Sequence, residues 1–310
     1  MKKYDNCIAI VCTENYFEYS LFLASQLLKQ SFINYDVVIC SGDEISKSTP
    51  DNIKVYKIET ESFTKNLPTN SRLQKFCYWR IPAIEYLSLL YKKILYLDTD
   101  IYVNGEGIAN LFDIEMGNHV IAAVRDVHQI VRPNRIPTEN SILKLPYTDY
   151  FNAGLLLINS KEWILQKCYE SIKIIGQKYP HALSAFDQSL LNLLCAGKWL
   201  ELSPVWNWQY SNRNCFITEI ISPKLIHFCG SAKFWNFNEP MLPSRYRESC
   251  YVFLHQDINF TLPSTSINYQ FFKILIKNLW YFKVHLKYTY NFSDSGAAIS
   301  HDKNNYKLSI

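Results

Sequence analysis

Short apolar runs alternate with longer stretches of helical period along most of this chain. CIAIVC (Cys7–Cys12), DVVICS (Asp36–Ser41), IKVYKI (Ile53–Ile58), ILYL (Ile94–Leu97), VIAAV (Val120–Val124) and GLLLI (Gly154–Ile158) are uninterrupted enough to predict strands buried on both faces. Between and after them, apolar positions recur at helical spacing from Phe17 to about Lys29, from Lys75 to Leu90, and from Ala185 to near Cys195. Strands separated by helices predict βαβ units and an α/β fold around a mostly parallel central sheet. In such sheets ligands gather beyond the carboxyl ends of the strands. The pattern lapses between His128 and Tyr150, where Pro133, Pro137 and Pro146 interrupt any helix. An irregular loop of that length inside a domain is expected to be a lid or a binding loop. The pattern changes again near Leu262, so residues 1–262 read as one domain and 263–310 as an aromatic, lysine-rich helical tail.

The most informative stretch is KKILYLDTDIYVN, Lys92 to Asn104, where a buried strand runs into Asp98-Thr99-Asp100. Strand side chains alternate faces, so Asp98 and Asp100 are expected on the same side, able to hold a hard divalent cation. Two acidic residues after a strand also suit a solvated turn, and the pair alone does not decide.

Composition narrows the choice. The stretch from Ser264 to Ile310 holds six lysines and two aspartates, which is all of the chain's net charge of +4. The body is neutral, without the basic patch that nucleic-acid binding requires. Nine cysteines without a C-x-x-C pair fit free thiols in a reducing compartment, not a disulfide framework or a zinc site. Behind Lys2 and Lys3 the apolar run is too short for a signal peptide, and no run is long enough to span a bilayer. The expected location is the cytoplasm, peripheral on the inner face of the cytoplasmic membrane.

Four further segments stand in order around the Asp pair. Thr13-Glu14-Asn15-Tyr16 follows the first strand, where a nucleotide base could dock. Phe151-Asn152-Ala153-Gly154 opens the strand GLLLIN, and Ala185-Phe186-Asp187-Gln188 starts a helix. A strand then leads into His227-Phe228-Cys229-Gly230-Ser231-Ala232-Lys233-Phe234-Trp235. Taken singly, each has a plain structural reading: His227 as a hydrogen-bonded strand histidine, Lys233 as a surface lysine lying along aromatics, Asn152 and Gln188 as caps. As an ordered set from about residue 5 to 240, they resemble the retaining family-8 glycosyltransferases. That group includes bacterial lipopolysaccharide α-galactosyl- and α-glucosyltransferases and the glycogenins.

The resemblance implies a Rossmann-like, GT-A-type nucleotide-sugar fold and a donor, UDP-galactose or UDP-glucose. It implies Mn2+, with Mg2+ as the second candidate, held by Asp98, Asp100 and His227. Thr13, Asn15, Tyr16, Arg80, Thr99, Asn152, Ala153, Asp187, Gly230 and Lys233 would contact the donor, and Lys233 with the Gly230 backbone would grip its diphosphate. Gln188, with Asp187, would carry the catalytic role, and Asp126 would contact the acceptor, a saccharide linked to lipid. The competing implication is a non-catalytic relative that binds a nucleotide-sugar or glycan. Departures are visible too: Thr13 stands where relatives often carry Asp, and Ser231 and Phe234 replace prolines, which is expected to loosen the last turn.

The tail is read from its own pattern. Phe271, Leu275, Leu279, Phe282 and Leu286 share one helical side, with Lys273, Lys277, Lys283 and Lys287 on the neighbouring arc. Such a helix suits an anionic membrane surface; it equally suits docking of the apolar stripe on the domain.

Overall fold

Cys7, Ile8, Ala9 and Ile10 are all at most 1% exposed, and successive side chains enter two different cores. In the computed structural model, described for residues 4–69, 75–211, 221–231, 233–237 and 242–256 with Asn214, Thr218, Ile276 and Leu279, those cores lie on opposite faces of one sheet. Strand β4 behaves likewise: Ile94 and Tyr96 pack on one side, Leu95 and Leu97 on the other. A run buried on both faces has no place for a polar residue until the strand ends, which is why Asp98 falls where it does.

In chain order the elements are β1 (Asn6–Val11), α1 (Phe17–Leu27), β2 (Asp36–Ser41), β3 (Ile53–Lys57), α2 (Glu61–Thr64), α3 (Arg80–Ser88), β4 (Lys93–Leu97) and β5 (Ile101–Val103). There follow β6 (Ile121–Arg125), α4 (Val127–Val131), α5 (Thr138–Ile142), β7 (Phe151–Asn159), α6 (Ser160–Leu165), α7 (Cys168–Lys178) and α8 (Asp187–Cys195). The last are β8 (Leu200–Glu201), β9 (Trp208–Gln209), β10 (Leu225–His227) and α9 (Ser244–His255). The main sheet runs β3-β2-β1-β4-β7-β6-β8. It is parallel except at β7, which lies antiparallel to both β4 and β6. The expected α/β fold with a mostly parallel sheet is present.

Two features position the site. Strand β7 carries an irregularity opposite β6: Val124 pairs with Asn152, but its neighbour Ala123 pairs with Leu156. The backbone of Ala153 and Gly154 is therefore free of β6: Ala153 and the Gly154 N–H turn to side chains, and the Gly154 carbonyl takes the Asp98 N–H. The second feature is a small sheet, β5-β10-β9, in which His227 stands opposite Ile101, directly after the Asp pair.

Two sequence expectations need correction. The helix expected from Lys75 to Leu90 is divided into a 3-10 turn, Lys75–Trp79, and α3. Pro82 has no N–H and would clash with the carbonyl of Tyr78 in a continuous α-helix, so the helix restarts at Arg80. The segment from His128 to Tyr150 is not structureless. It forms α4 and α5, the latter entered at Pro137. Gln129 accepts from the Tyr150 N–H (2.7 Å) and donates to the Thr148 carbonyl (2.9 Å). Buried Glu139 accepts from Ser184 (2.7 Å), from Tyr150 (3.2 Å) and from Ser189. The tail lies outside the described residues except for Ile276 and Leu279, both exposed. No helix among the described residues is long and apolar enough to cross a membrane.

Candidate active site

At the carboxyl ends of β1 and β4 a cleft of about 440 Å³ opens. Its walls hold Thr13, Tyr16, Arg80, Asp98, Thr99, Asp100, Asn152, Ala153, Asp187, Gln188, His227 and Lys233. Three expected residues do not line it. Asn15 and Gly230 are exposed outside it. Asp126 lies buried behind Gln188, where it caps α4 through His128 N–H (2.9 Å) and accepts from Gln188 Nε2 (3.4 Å).

Asp98, Thr99 and Asp100 are not on the strand but in the turn beyond it, closed by the Ile101 N–H donating to the Asp98 carbonyl (3.1 Å). Turn geometry, not strand alternation, thus brings the two carboxylates together. The Asp98 N–H is held by the Gly154 carbonyl (2.9 Å), and the Asp100 carbonyl receives the Phe228 N–H (3.0 Å). The Asp pair is thereby fastened both to the irregular part of β7 and to the end of β10.

One oxygen of Asp98 is occupied: Oδ1 accepts from Tyr96 (2.5 Å) and pairs with Arg80 (3.0 Å). Its Oδ2 faces His227 Nε2 at 3.6 Å. Asp100 Oδ2 is paired with the Lys233 ammonium, which also donates to the Phe228 carbonyl (2.5 Å). Asp100 Oδ1 lies 3.1 Å from His227 Nε2, is buried and has no hydrogen-bond partner. Burial opposes ionisation of Asp100, but the positive charge of His227 when its ring is protonated, and of Lys233, outweighs it and holds the carboxyl well below its ordinary value.

Ligand atoms of Asp98, Asp100 and His227 all lie within 4.8 Å of one another. Two carboxylate oxygens and one imidazole nitrogen converge, and an oxygen without a partner points among them. That donor set fits a divalent cation.

Arg80 is the organiser of the opposite wall and not the surface arginine that its helix position would allow, its side chain being only 11% exposed. Its guanidinium pairs with Asp187 (2.8 Å) and Asp98, donates to the Ala153 carbonyl (2.6 Å) and stacks on the Tyr96 ring. Burial drives the Asp187 carboxyl up to about 6, with Arg80 opposing and Asp98 adding to the rise. Asp187 opens α8 after Phe186, whose φ of +54° is rare for a side chain of that size. This backbone turn aims Asp187 and Gln188 into the cleft. Gln188 Oε1 accepts from the Ala153 N–H (2.9 Å) that the irregularity in β7 releases.

Phe234, which stands where relatives carry proline, is held by packing. Phe234 is fully buried and packs against Phe22, Tyr102, Phe228 and Trp235. Burial of a Phe side chain contributes about 1.5–3 kcal/mol, enough to anchor the turn without proline. Trp235 stacks on Tyr19 at 4.5 Å and meets Tyr16 edge-on, forming an aromatic rim beside Phe76.

Sequence reasoning missed Asn207. It is 1% exposed, and its Oδ1 lies 2.9 Å from His227 Nδ1. It sits within PVWNW, where only a polar residue amid aromatics gave any signal. It also missed why Gly154 is glycine: a Cβ there would collide with the His227 ring.

The fold and this cleft define a GT-A-type glycosyltransferase architecture. The solved galactosyltransferase LgtC, in complex with donor and acceptor sugar analogues, superposes with a TM-score of 0.66 at 21% identity, covering 87% of this chain and 99% of that one. The bifunctional glycosyltransferase WbbM gives 0.59 at 18% identity, covering 89% and 52%. Residues 7–239 match Glycosyl transferase family 8, and the chain belongs to that family. A lipopolysaccharide 1,2-glucosyltransferase of Escherichia coli K12 is 27% identical over 239 residues, 69% of this chain and 68% of the relative. A lipopolysaccharide 1,3-galactosyltransferase of Salmonella typhimurium is 28% identical over 208 residues, 63% and 59% of the two chains. General stress protein A of Bacillus subtilis is 27% identical over 204 residues, 60% and 68%.

Proposed function

We propose that this protein transfers a hexose, galactose or glucose, from a UDP-sugar to a saccharide hydroxyl with retention of the α configuration. The product would be part of a lipopolysaccharide, lipooligosaccharide or other surface glycan. The observation that carries this reading is the meeting of Asp98, Asp100 and His227, from two sheets, opposite Asp187 and Gln188 in one cleft of a family-8 chain. The lipopolysaccharide relatives support the donor and acceptor classes. A lipid-linked acceptor fits an enzyme working on the cytoplasmic side of the membrane.

A divalent cation on the triad would offset the charge that grows on the departing diphosphate. The protein's own groups do the rest. Tyr16 and the aromatic rim would take the uracil face, and Thr13 its edge. Lys233 would leave Asp100 and pair with a phosphate oxygen, exchanging one anion for another. Asp187, held by Arg80, would accept hydrogen bonds from sugar hydroxyls.

Retention needs two inversions or attack on the face from which the leaving group departs. The Gln188 amide is neutral and a poor nucleophile, which favours same-face attack through an oxocarbenium-like state. The diphosphate oxygen then takes the acceptor's proton, and the Gln188 carbonyl dipole, pinned by the Ala153 N–H, stabilises the sugar's positive charge. The test is UDP release from UDP-galactose and UDP-glucose with and without Mn2+, against a panel of truncated lipooligosaccharides. Acceptor-dependent release with one donor is expected. Binding without turnover across the panel would sink the catalytic reading in favour of a non-catalytic relative, and release indifferent to acceptor would make the protein a hydrolase.

A further inference from the structure

We infer that Asn207 is a positioning residue for His227: it fixes the imidazole tautomer, so that Nδ1 carries the proton and Nε2 presents its lone pair to the two aspartates. The inference rests on the metal reading above for its purpose, but its structural content stands on hydrogen-bond polarity alone.

A backbone N–H can only donate, and two of them set the direction of every amide in the chain of contacts. The Gly154 N–H donates to Asn152 Oδ1 at 3.0 Å, which makes that atom the carbonyl oxygen. The Ala153 N–H donates to Gln188 Oε1 at 2.9 Å, and the same oxygen takes Asn152 Nδ2 at 3.4 Å. The two backbone donors therefore agree on which end of Asn152 is which. Asn152 Oδ1 also lies 2.9 Å from Asn207, so the Asn207 atom facing it must be its NH2 group. The opposite end of Asn207, its carbonyl oxygen, is then the atom 2.9 Å from His227 Nδ1. An acceptor there requires a proton on Nδ1.

Packing removes the alternatives. Asn207 is 1% exposed and His227 3%, so both side chains are shielded from bulk solvent. The ring lies on Gly154, where a Cβ would strike Cε1 and Nδ1, so only glycine leaves room for it there. In the resulting orientation Nε2 faces Asp100 Oδ1 at 3.1 Å and Asp98 Oδ2 at 3.6 Å. A lone pair held against carboxylate oxygens is an arrangement that a cation between them relieves. Ligating histidines are held in this manner elsewhere, by an acceptor on the far nitrogen. Here that acceptor is a neutral amide whose polarity traces back to the irregular stretch of β7.

The experiment uses the full chain. In 15N-histidine-labelled, metal-free protein, at a pH where the imidazole is neutral, the His227 signals are identified by their loss in His227→Ala. The Nδ1–H form is expected, and an Nε2–H form overturns the inference whatever the protein does with metal. Mn2+ affinity in the presence of UDP, read by electron paramagnetic resonance, is compared for two variants. Asn207→Leu should raise the Mn2+ dissociation constant about 10- to 100-fold. Asn207→Asp should stay within a few-fold of wild type, because its carboxylate still accepts from Nδ1. Both variants lose the donor to Asn152 and should lower the thermal midpoint together. A purely structural role would make metal affinity follow the midpoint, and that outcome overturns the assignment, as does wild-type affinity in Asn207→Leu. Wild-type protein that takes up no Mn2+ would remove the metal reading itself, while the tautomer spectrum still judges the hydrogen-bond relay.

Discussion

Single atoms at this site have assignable tasks. Gln188 is held by the Ala153 N–H and by Asp126, so its carbonyl is fixed in direction before any sugar arrives. Gln188→Ala should therefore lower kcat by about 10²- to 10³-fold, the usual cost of removing one preorganised dipole, with UDP affinity nearly unchanged. Near-native turnover in that variant would refute the role. The metal ligands give a second expectation. Asp98→Asn or Asp100→Asn should abolish Mn2+-dependent UDP binding in calorimetry, because an amide is a far weaker ligand for a hard cation. His227→Ala should weaken it with the fold intact. Asp187 gives a third. Its carboxyl is raised to about 6, so it is ionised and able to accept hydrogen bonds above that value and protonated below it. Activity should fall as pH drops through about 6, seen as an acidic limb in kcat/KM. Asp187→Asn, which cannot titrate, should lower kcat/KM and flatten that limb. For the fold the sign is opposite: the native state holds this proton more tightly than the unfolded chain, so stability falls as pH rises from about 4 to about 6 and stays lower above.

Elements decide how these atoms meet. The irregularity of β7 against β6 lets Ala153 and Gly154 serve Gln188, Arg80 and Asn152 in place of a sheet neighbour, while the Gly154 carbonyl continues the pairing with β4 by holding the Asp98 N–H. The segment from His128 to Tyr150 is the other element of consequence. Its buried Gln129 and Glu139 tie it to Tyr150 and to the residues leading into α8, while Arg132, Arg135 and Lys144 stay exposed. We expect it to close further over bound donor as one piece and exclude water that would otherwise hydrolyse the sugar. Trypsin should cut after Arg135 and Lys144 in the free protein, Arg132 being shielded by the proline that follows it, and UDP with Mn2+ should slow the cleavage severalfold. Equal rates in both conditions would count against closure.

For the whole molecule, the lipid-linked acceptor proposed above calls for a means of staying near a membrane. The described fold ends at α9, and the lysine-rich stretch beyond carries the entire net charge. We expect truncation after Pro263 to leave transfer to soluble acceptors within about twofold while removing sedimentation with anionic liposomes, which polybasic segments favour. A truncated chain that fails to fold, or still sediments, would make the tail a structural part of the domain.

Runs such as ILYL and LLLI declared the sheet from sequence, because a strand covered on both faces admits few polar residues and ends where the first carboxylate appears. Asp98, Asp100 and Lys233 stood out in short motifs just past regular elements, and Gln188, in the first turn of α8, stood out through the family resemblance. Tertiary structure alone decided that the Asp pair converges through a turn, that Arg80 is buried between two acids, and that Asp126 stands behind Gln188. It alone disclosed Asn207, whose partner is 20 residues away and whose meaning lies in hydrogen-bond polarity. Periodicity reports which face a residue takes. It carries no information about which distant atom will face it, and that is where this site acquires its chemistry.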